Sequence, residues 1–211
     1  MKNFKTAVFG IICAVLMLSL GGCKWGKDDD SKKPTPATGY EITSYVEGKA
    51  VRNVTAENYT ANANSVDYHL AKKDKDGSDT GSFQGTWVVK HNSWKPVKGD
   101  GRYQATLYSG KVAIGTWTVH NFSTDTQSVL LFPADGSEVL RVSGTVVITE
   151  VKAGRSDAAT ARVTASSGDN VVYSKDVSWT KVLGFHLEAQ PSDGSGYVYI
   201  WGNFKSEKLT K

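Results

Sequence analysis

Residue types that do chemistry are few in this sequence and lie far apart. The four histidines are His69, His91, His120 and His186. A zinc site built on strands or helices uses histidines at short spacings and needs at least a third ligand. No two of these four stand at i, i+2 or i, i+4. His91 and His120 sit near the ends of two similar Gly-Thr-Trp segments and could meet in the fold, but two imidazoles alone make no site. Gly194-Ser195-Gly196 is too short for a nucleophile elbow and reads as a turn. Neither a phosphate-cradling glycine loop nor a dinucleotide fingerprint is present. Glu150 and Glu188 lie near strand ends, but a glycosidase needs two carboxylates roughly 5–10 Å apart across a cleft, and their spacing alone supplies no such pairing. Asp74, Asp76 and Asp79 surround Gly77 in the way hard oxygen ligands surround calcium. However, the glycine comes too early and no glutamate closes the loop, so a solvated turn is expected. No cofactor, no metal and no catalytic residue are expected.

The aromatic residues carry more information. Trp87 and Trp117 lie inside apolar strand runs and are expected in the core. Trp94 sits in the polar segment His91-Asn92-Ser93-Trp94-Lys95-Pro96, and Trp179 lies between Ser178 and Thr180. Tyr197, Tyr199 and Trp201 alternate, so on a strand they share one face. Turned outward, such a stripe stacks on sugar rings or anchors a protein partner; turned inward, it is core. Trp94, Tyr197, Tyr199 and Trp201 are therefore the candidate binding surface for a glycan or protein ligand.

The amino terminus holds a short basic segment, Met1 to Lys5, followed by an apolar run from Ala7 to Leu20. About 20 apolar residues are needed to span a bilayer, and this run fits a secretory signal instead. It ends in Leu20-Gly21-Gly22-Cys23, which resembles the lipobox of bacterial lipoproteins. The resemblance implies a leader over 1–22, cleavage before Cys23, and lipid on the Cys23 thiol. It implies further acylation, such as palmitate, on the new amino terminus, and two or more chains hold a membrane stably where one does not. Lys24 does not match the inner-membrane retention signal, which points to the outer membrane. Residues 23–38 then form a charged, Pro- and Ser-rich tether. Within it, Lys27-Asp28-Asp29-Asp30 resembles the acidic export tags of surface lipoproteins of Bacteroidetes, so either the periplasmic side or the cell surface fits. Cys13 leaves with the leader, and the remaining chain has no internal disulfide.

The elements that must position these residues are strands. Net charge is only +4, two of those charges being Lys2 and Lys5 of the leader, which argues against nucleic acid. Alternating apolar residues mark strands over 85–91, 102–108, 111–120, 128–132, 159–165, 170–177, 178–189 and 197–204, with 138–151 long enough to bend. Asp-Gly and Gly-Asp pairs at 76, 100, 135, 168 and 193 read as hairpin signals. The pattern predicts one all-β domain over 39–211, an antiparallel sandwich or barrel of about 9–10 strands with little helix. Residues 53–64 could hold one short helix. Gly85-Thr86-Trp87, Gly115-Thr116-Trp117 and Gly144-Thr145-Val146 start 30 and 29 residues apart and suggest a repeating hairpin unit. Gly85-Thr86-Trp87 also resembles the Gly-x-Trp of lipocalins, which implies a barrel carrying a small apolar ligand. The leading functional expectation is a membrane-anchored, non-enzymatic binding domain; a lipocalin-like carrier and a secreted hydrolase are the alternatives.

Overall fold

A computed structural model describes residues 39–62 and 64–210. Residues 1–38, on which the expected leader, lipid-bearing Cys23 and tether fall, lie outside these residues. The described chain is all β, in three successive groups of five strands. The first group is β1 (Tyr40–Val46), β2 (Lys49–Asn62), β3 (Ser65–Leu70), β4 (Thr80–Gln84) and β5 (Thr86–His91). The second is β6 (Tyr103–Ser109), β7 (Val112–Thr124), β8 (Val129–Pro133), β9 (Leu140–Ser143) and β10 (Thr145–Glu150). The third is β11 (Ala161–Ser167), β12 (Asn170–Leu183), β13 (His186–Pro191), β14 (Val198–Trp201) and β15 (Asn203–Lys208).

Each group follows the same plan. A tight two-residue turn joins its first two strands, as at Gly168-Asp169 between Ser167 and Asn170. The long second strand carries a β-bulge, after Ala56, Val119 or Val177, all three of them fully buried. Before the bulge the strand pairs with the first strand of its group, and after it with the third. A bulge bends its strand and raises its twist, which is how one strand can turn a corner between two packed layers. The last two strands of each group are halves of one segment, broken by a single glycine at Gly85, Gly144 or Gly202. The first half pairs with the third strand of its group or a neighbour, and the second half returns to the first strand.

The kinked strands also join the groups. β5 pairs with β9, and β10 pairs with β14. The hydrogen-bonded order is therefore continuous: β15-β11-β12-β13-β14-β10-β6-β7-β8-β9-β5-β1-β2-β3-β4. The sheet is antiparallel and is not closed into a barrel. Its folds enclose three cores, around Ile42, Tyr68 and Trp87, around Leu107, Leu131 and Ile148, and around Val163, Leu187 and Ile200. Strands between two cores are buried on both faces. In β10, Val146 and Ile148 enter the middle core while Val147 enters the third. That is why its sequence reads as a continuous apolar run, as expected of a strand covered on both sides. The free edge β15 carries Lys205, Glu207 and Lys208, charges that discourage edge-to-edge pairing.

The all-β, antiparallel expectation holds, with fifteen strands in place of nine or ten. Part of the difference is division: 138–151 and 197–204 each bend at a glycine into two strands. The rest is β1 to β4: β2 buries only Ala56 fully and shows no period, whereas Val66, Tyr68 and Leu70 of β3 do alternate and are a legible strand absent from the expectation. The short helix expected over 53–64 is not formed: residues 53–62 lie in β2, where pairing to β1 and β3 overrides the local preference. The repeat is real but longer than its echoes indicate. The equivalent glycines are Gly85, Gly144 and Gly202, 59 and then 58 residues apart. Gly115 lies mid-strand in β7 opposite Leu107 and is no kink.

The kinks need glycine for two reasons. Gly144 and Gly202 hold φ of 139° and 101°, where side chains are disfavoured. A Cβ on Gly202 would also lie 2.7 Å from the Gly144 carbonyl oxygen. Gly202→Ala is expected to cost about 2–5 kcal/mol, left-handed strain plus overpacking. Gly77→Ala, with φ of 83° but open space around it, is expected to cost about 1–2 kcal/mol. Equal losses in urea unfolding would show that the backbone contact between the kinks contributes nothing.

A candidate binding groove at the strand kinks

The three kinks converge on one open groove of about 580 Å³. Its lining repeats the plan of the fold. Each group contributes its kink glycine and the residue after it: Gly85 with Thr86, Gly144 with Thr145, Gly202 with Asn203. Each also contributes one residue from the turn between its second and third strands: Asn64, Thr126 and Phe185. Trp201 and the hairpin segment Ser166 to Gly168 complete it.

The chemistry of this lining is uniform. It offers hydroxyls, amides and bare backbone, together with two aromatic side chains, and includes no ionisable side chain. Several groups are already oriented. The Thr145 hydroxyl donates to the Ser166 carbonyl at 2.6 Å. The indole Nε1 of Trp201 donates to the Asp125 carbonyl at 3.0 Å, which fixes the ring. Asp125 is itself held in place, its carboxylate accepting from the backbone N–H groups of Gln127 and Ser128 at 2.7 Å each. A concave site with a few fixed polar groups and an aromatic wall suits a neutral polar ligand.

The four aromatic candidates are distributed over three places. Trp201 is buried in the middle core, with its edge in the groove. Tyr199 shares that strand face but packs on the rings of Phe122, at 5.0 Å, and Tyr103, at 6.1 Å. Burial pushes its phenol up to about 12. Tyr197 precedes β14 and is exposed beside Trp179. Trp94 is exposed in the loop after β5, its ring against His91 and Phe132. Only Trp201 belongs to the groove. Alternation correctly places Tyr199 and Trp201 on one face, but β14 lies between two cores, so that face points inward. The groove residues from the kinks and turns carry no side-chain signature; the recurrence of glycine at 85, 144 and 202 is the signal that could have found them.

The remaining candidates do not assemble into a reactive centre. His91 and His120 flank one aromatic cluster, each in ring contact with its own neighbours, and no metal-ligand group exists among the described residues. Glu150 is paired with Arg102 at 3.1 Å and Glu188 lies 3.6 Å from His186. The cleft beside Glu150 is lined by residues 100–102 and 150–152, without Glu188. Asp74 is engaged by Arg52 at 3.0 Å.

His91 is nevertheless unusual. Its Nε2 shares a 2.9 Å hydrogen bond with the Tyr59 hydroxyl, under the ring of Tyr40. Burial pushes its imidazole down to about 4, and the nearby Arg141 guanidinium adds to this. A proton taken up by the unfolded chain below about pH 6.5 is thus refused by the folded one. The stability contributed by neutral His91 is complete above that pH and is lost as pH falls towards 4. The melting temperature is expected to drop between pH 6.5 and 5, and His91→Gln, which keeps a partner for Tyr59, to flatten that slope. Parallel slopes for the two proteins would contradict this assignment.

No family model, no curated protein and no solved structure matches the chain.

Proposed function

We propose that the protein is a lipid-tethered, non-enzymatic binding domain that takes a segment of neutral glycan into the groove at the strand kinks. The observation that carries this reading is the groove's lining: neutral donors and acceptors in repeated positions, beside the aromatic edges of Trp201 and Phe185, with no charge. Sugars present hydroxyls and an apolar ring face, and such a surface matches both. An apolar carrier function would call for an enclosed greasy cavity, and a hydrolase for paired carboxylates, so neither reading draws support from the groove. The lipid tether rests on Leu20-Gly21-Gly22-Cys23 and would place the domain at the outer membrane, on its periplasmic side or at the cell surface.

Two tests apply. For the anchor, metabolic labelling with a palmitate analogue is expected to mark the wild-type chain and to leave Cys23→Ser unlabelled; label on the serine variant would remove the lipobox reading. For the groove, calorimetric titration with neutral oligosaccharides compares the wild type with Asn64→Ala/Asn203→Ala, both exposed positions. Losing two hydrogen bonds of about 1 kcal/mol each should weaken binding at least about tenfold. An unchanged affinity would mean the sugar, if bound, sits elsewhere.

A further inference from the structure

Among the described residues the exposed tryptophans and tyrosine are Trp94, Trp179 and Tyr197; Trp94 and Tyr197 lie in loops at the end of the strands away from the kinks, and Trp179, just past the bulge of β12, lies beside Tyr197. That end is a rim of connecting loops, stitched together by backbone hydrogen bonds. The Val139 N–H donates to the Trp94 carbonyl at 2.9 Å, and Val151 donates to Arg102 at 2.8 Å. Glu150 donates to Tyr197 at 2.8 Å, and Gly154 to Gly194 at 2.9 Å. Trp179 sits against Tyr197, the ring centroids 6.5 Å apart. The rim also exposes Val97, at 85%, and Val151, at 64%. Exposed valines occur elsewhere too, Val46, Val51, Val171 and Val182 among them, so it is the exposed tryptophans and tyrosine that set this end apart, and they point to a surface that something covers.

The chain itself indicates the occupant. It enters the domain within this rim: the Asn92 N–H donates to the Gly39 carbonyl at 3.2 Å, two residues from Trp94. Cys23 lies 16 residues upstream of Gly39, which is at most about 55 Å of extended chain. A lipid on Cys23 would keep the rim close to a bilayer, at an effective concentration in the millimolar range for a short tether. Contacts too weak to hold a free protein are then occupied. Trp and Tyr are the side chains that settle at the headgroup level. The charges around them largely cancel: Lys95 lies 3.8 Å from Glu138, Arg102 3.1 Å from Glu150, and Arg155 3.2 Å from Asp157. The attraction would therefore come from aromatic and aliphatic partition, not from anionic lipid.

We infer that the loop rim is a bilayer-contacting surface, seating Trp94, Trp179 and Tyr197 in the headgroup layer of the membrane that holds Cys23. The inference rests on the lipid-anchor reading. It also gives the molecule a direction. The kink glycines stand at the opposite ends of β5 and β10 from the rim, so a seated rim turns the groove away from the membrane, about 20 Å farther out for strands of six residues.

The test uses the mature lipidated chain purified from membranes, carrying Trp25→Phe so that the tether contributes no signal. It is reconstituted into phosphatidylethanolamine–phosphatidylglycerol vesicles with plain or brominated acyl chains. Bromine is expected to quench part of the tryptophan emission, similarly at low and high salt. Trp94→Phe/Trp179→Phe, both exposed and harmless to the core, should abolish that quenching while leaving the vesicle-bound fraction unchanged. A chain that floats with the vesicles but shows equal emission in plain and brominated lipid, or quenching that survives in the double variant, overturns the rim inference and leaves the anchor standing. That result would also be the one expected if the rim docks a protein. If the chain purified from membranes carries no lipid on Cys23, the anchor reading falls and the rim inference with it.

Discussion

A backbone contact that only glycine permits underlies this architecture. The Gly144 carbonyl oxygen lies 2.7 Å from where a Cβ on Gly202 would be. Removing side chains at the kinks lets one chain segment change direction sharply and serve two packing layers in turn. β9 and β10 illustrate the result, the first half pairing with β5 and β8 and the second with β6 and β14. A group of about 60 residues buries only part of its apolar surface and is marginal alone. By sharing kinked strands, three such groups cover faces that each would otherwise expose, much as repeat proteins gain stability from neighbour interfaces. Disrupting one kink is therefore felt in two cores.

The same constraint generates the candidate site. Where three strands turn without side chains, the surface is hollow, and the polar residues beside the glycines border the hollow with unused hydrogen-bonding capacity. The opposite ends of the strands carry the loops, and there the exposed aromatics collect. One end of the molecule is a neutral polar groove and the other an aromatic rim beside Gly39, where the described chain begins. The proposed division of labour, ligand at one end and membrane at the other, follows from that polarity.

How much of this was legible beforehand differs from element to element. Glu138 to Val151 read as a bent strand because fourteen residues of apolar pattern exceed an ordinary strand, and the bend is at Gly144. In the first group β5 is legible and β2 is not. β2 has only Ala56 fully buried among fourteen residues, so neither a period of two nor one of 3.6 stands out, and its Asn- and Ala-containing run suited a helix locally. Of the five Asp-Gly and Gly-Asp pairs, only Gly168-Asp169 forms a two-residue hairpin, while the others sit in longer loops. The Gly-Thr-Trp echo misleads because the copy at Gly115 halves the true spacing, while the third equivalent segment, Gly202-Asn203-Phe204, has neither threonine nor tryptophan. Trp201 is legible as a candidate, but whether it faces solvent or core depends on β14 having a core on each face, a tertiary fact no local pattern contains.

The groove is best tested by following backbone amides. In a ¹⁵N-labelled chain titrated with a neutral oligosaccharide, the amides of Gly85, Gly144, Gly202 and Asn203 should shift together and saturate with one affinity, since a single ligand would lie across all three kinks. Shifts confined to the Trp94 and Tyr197 loops, or no shifts with any neutral oligosaccharide, would contradict the account.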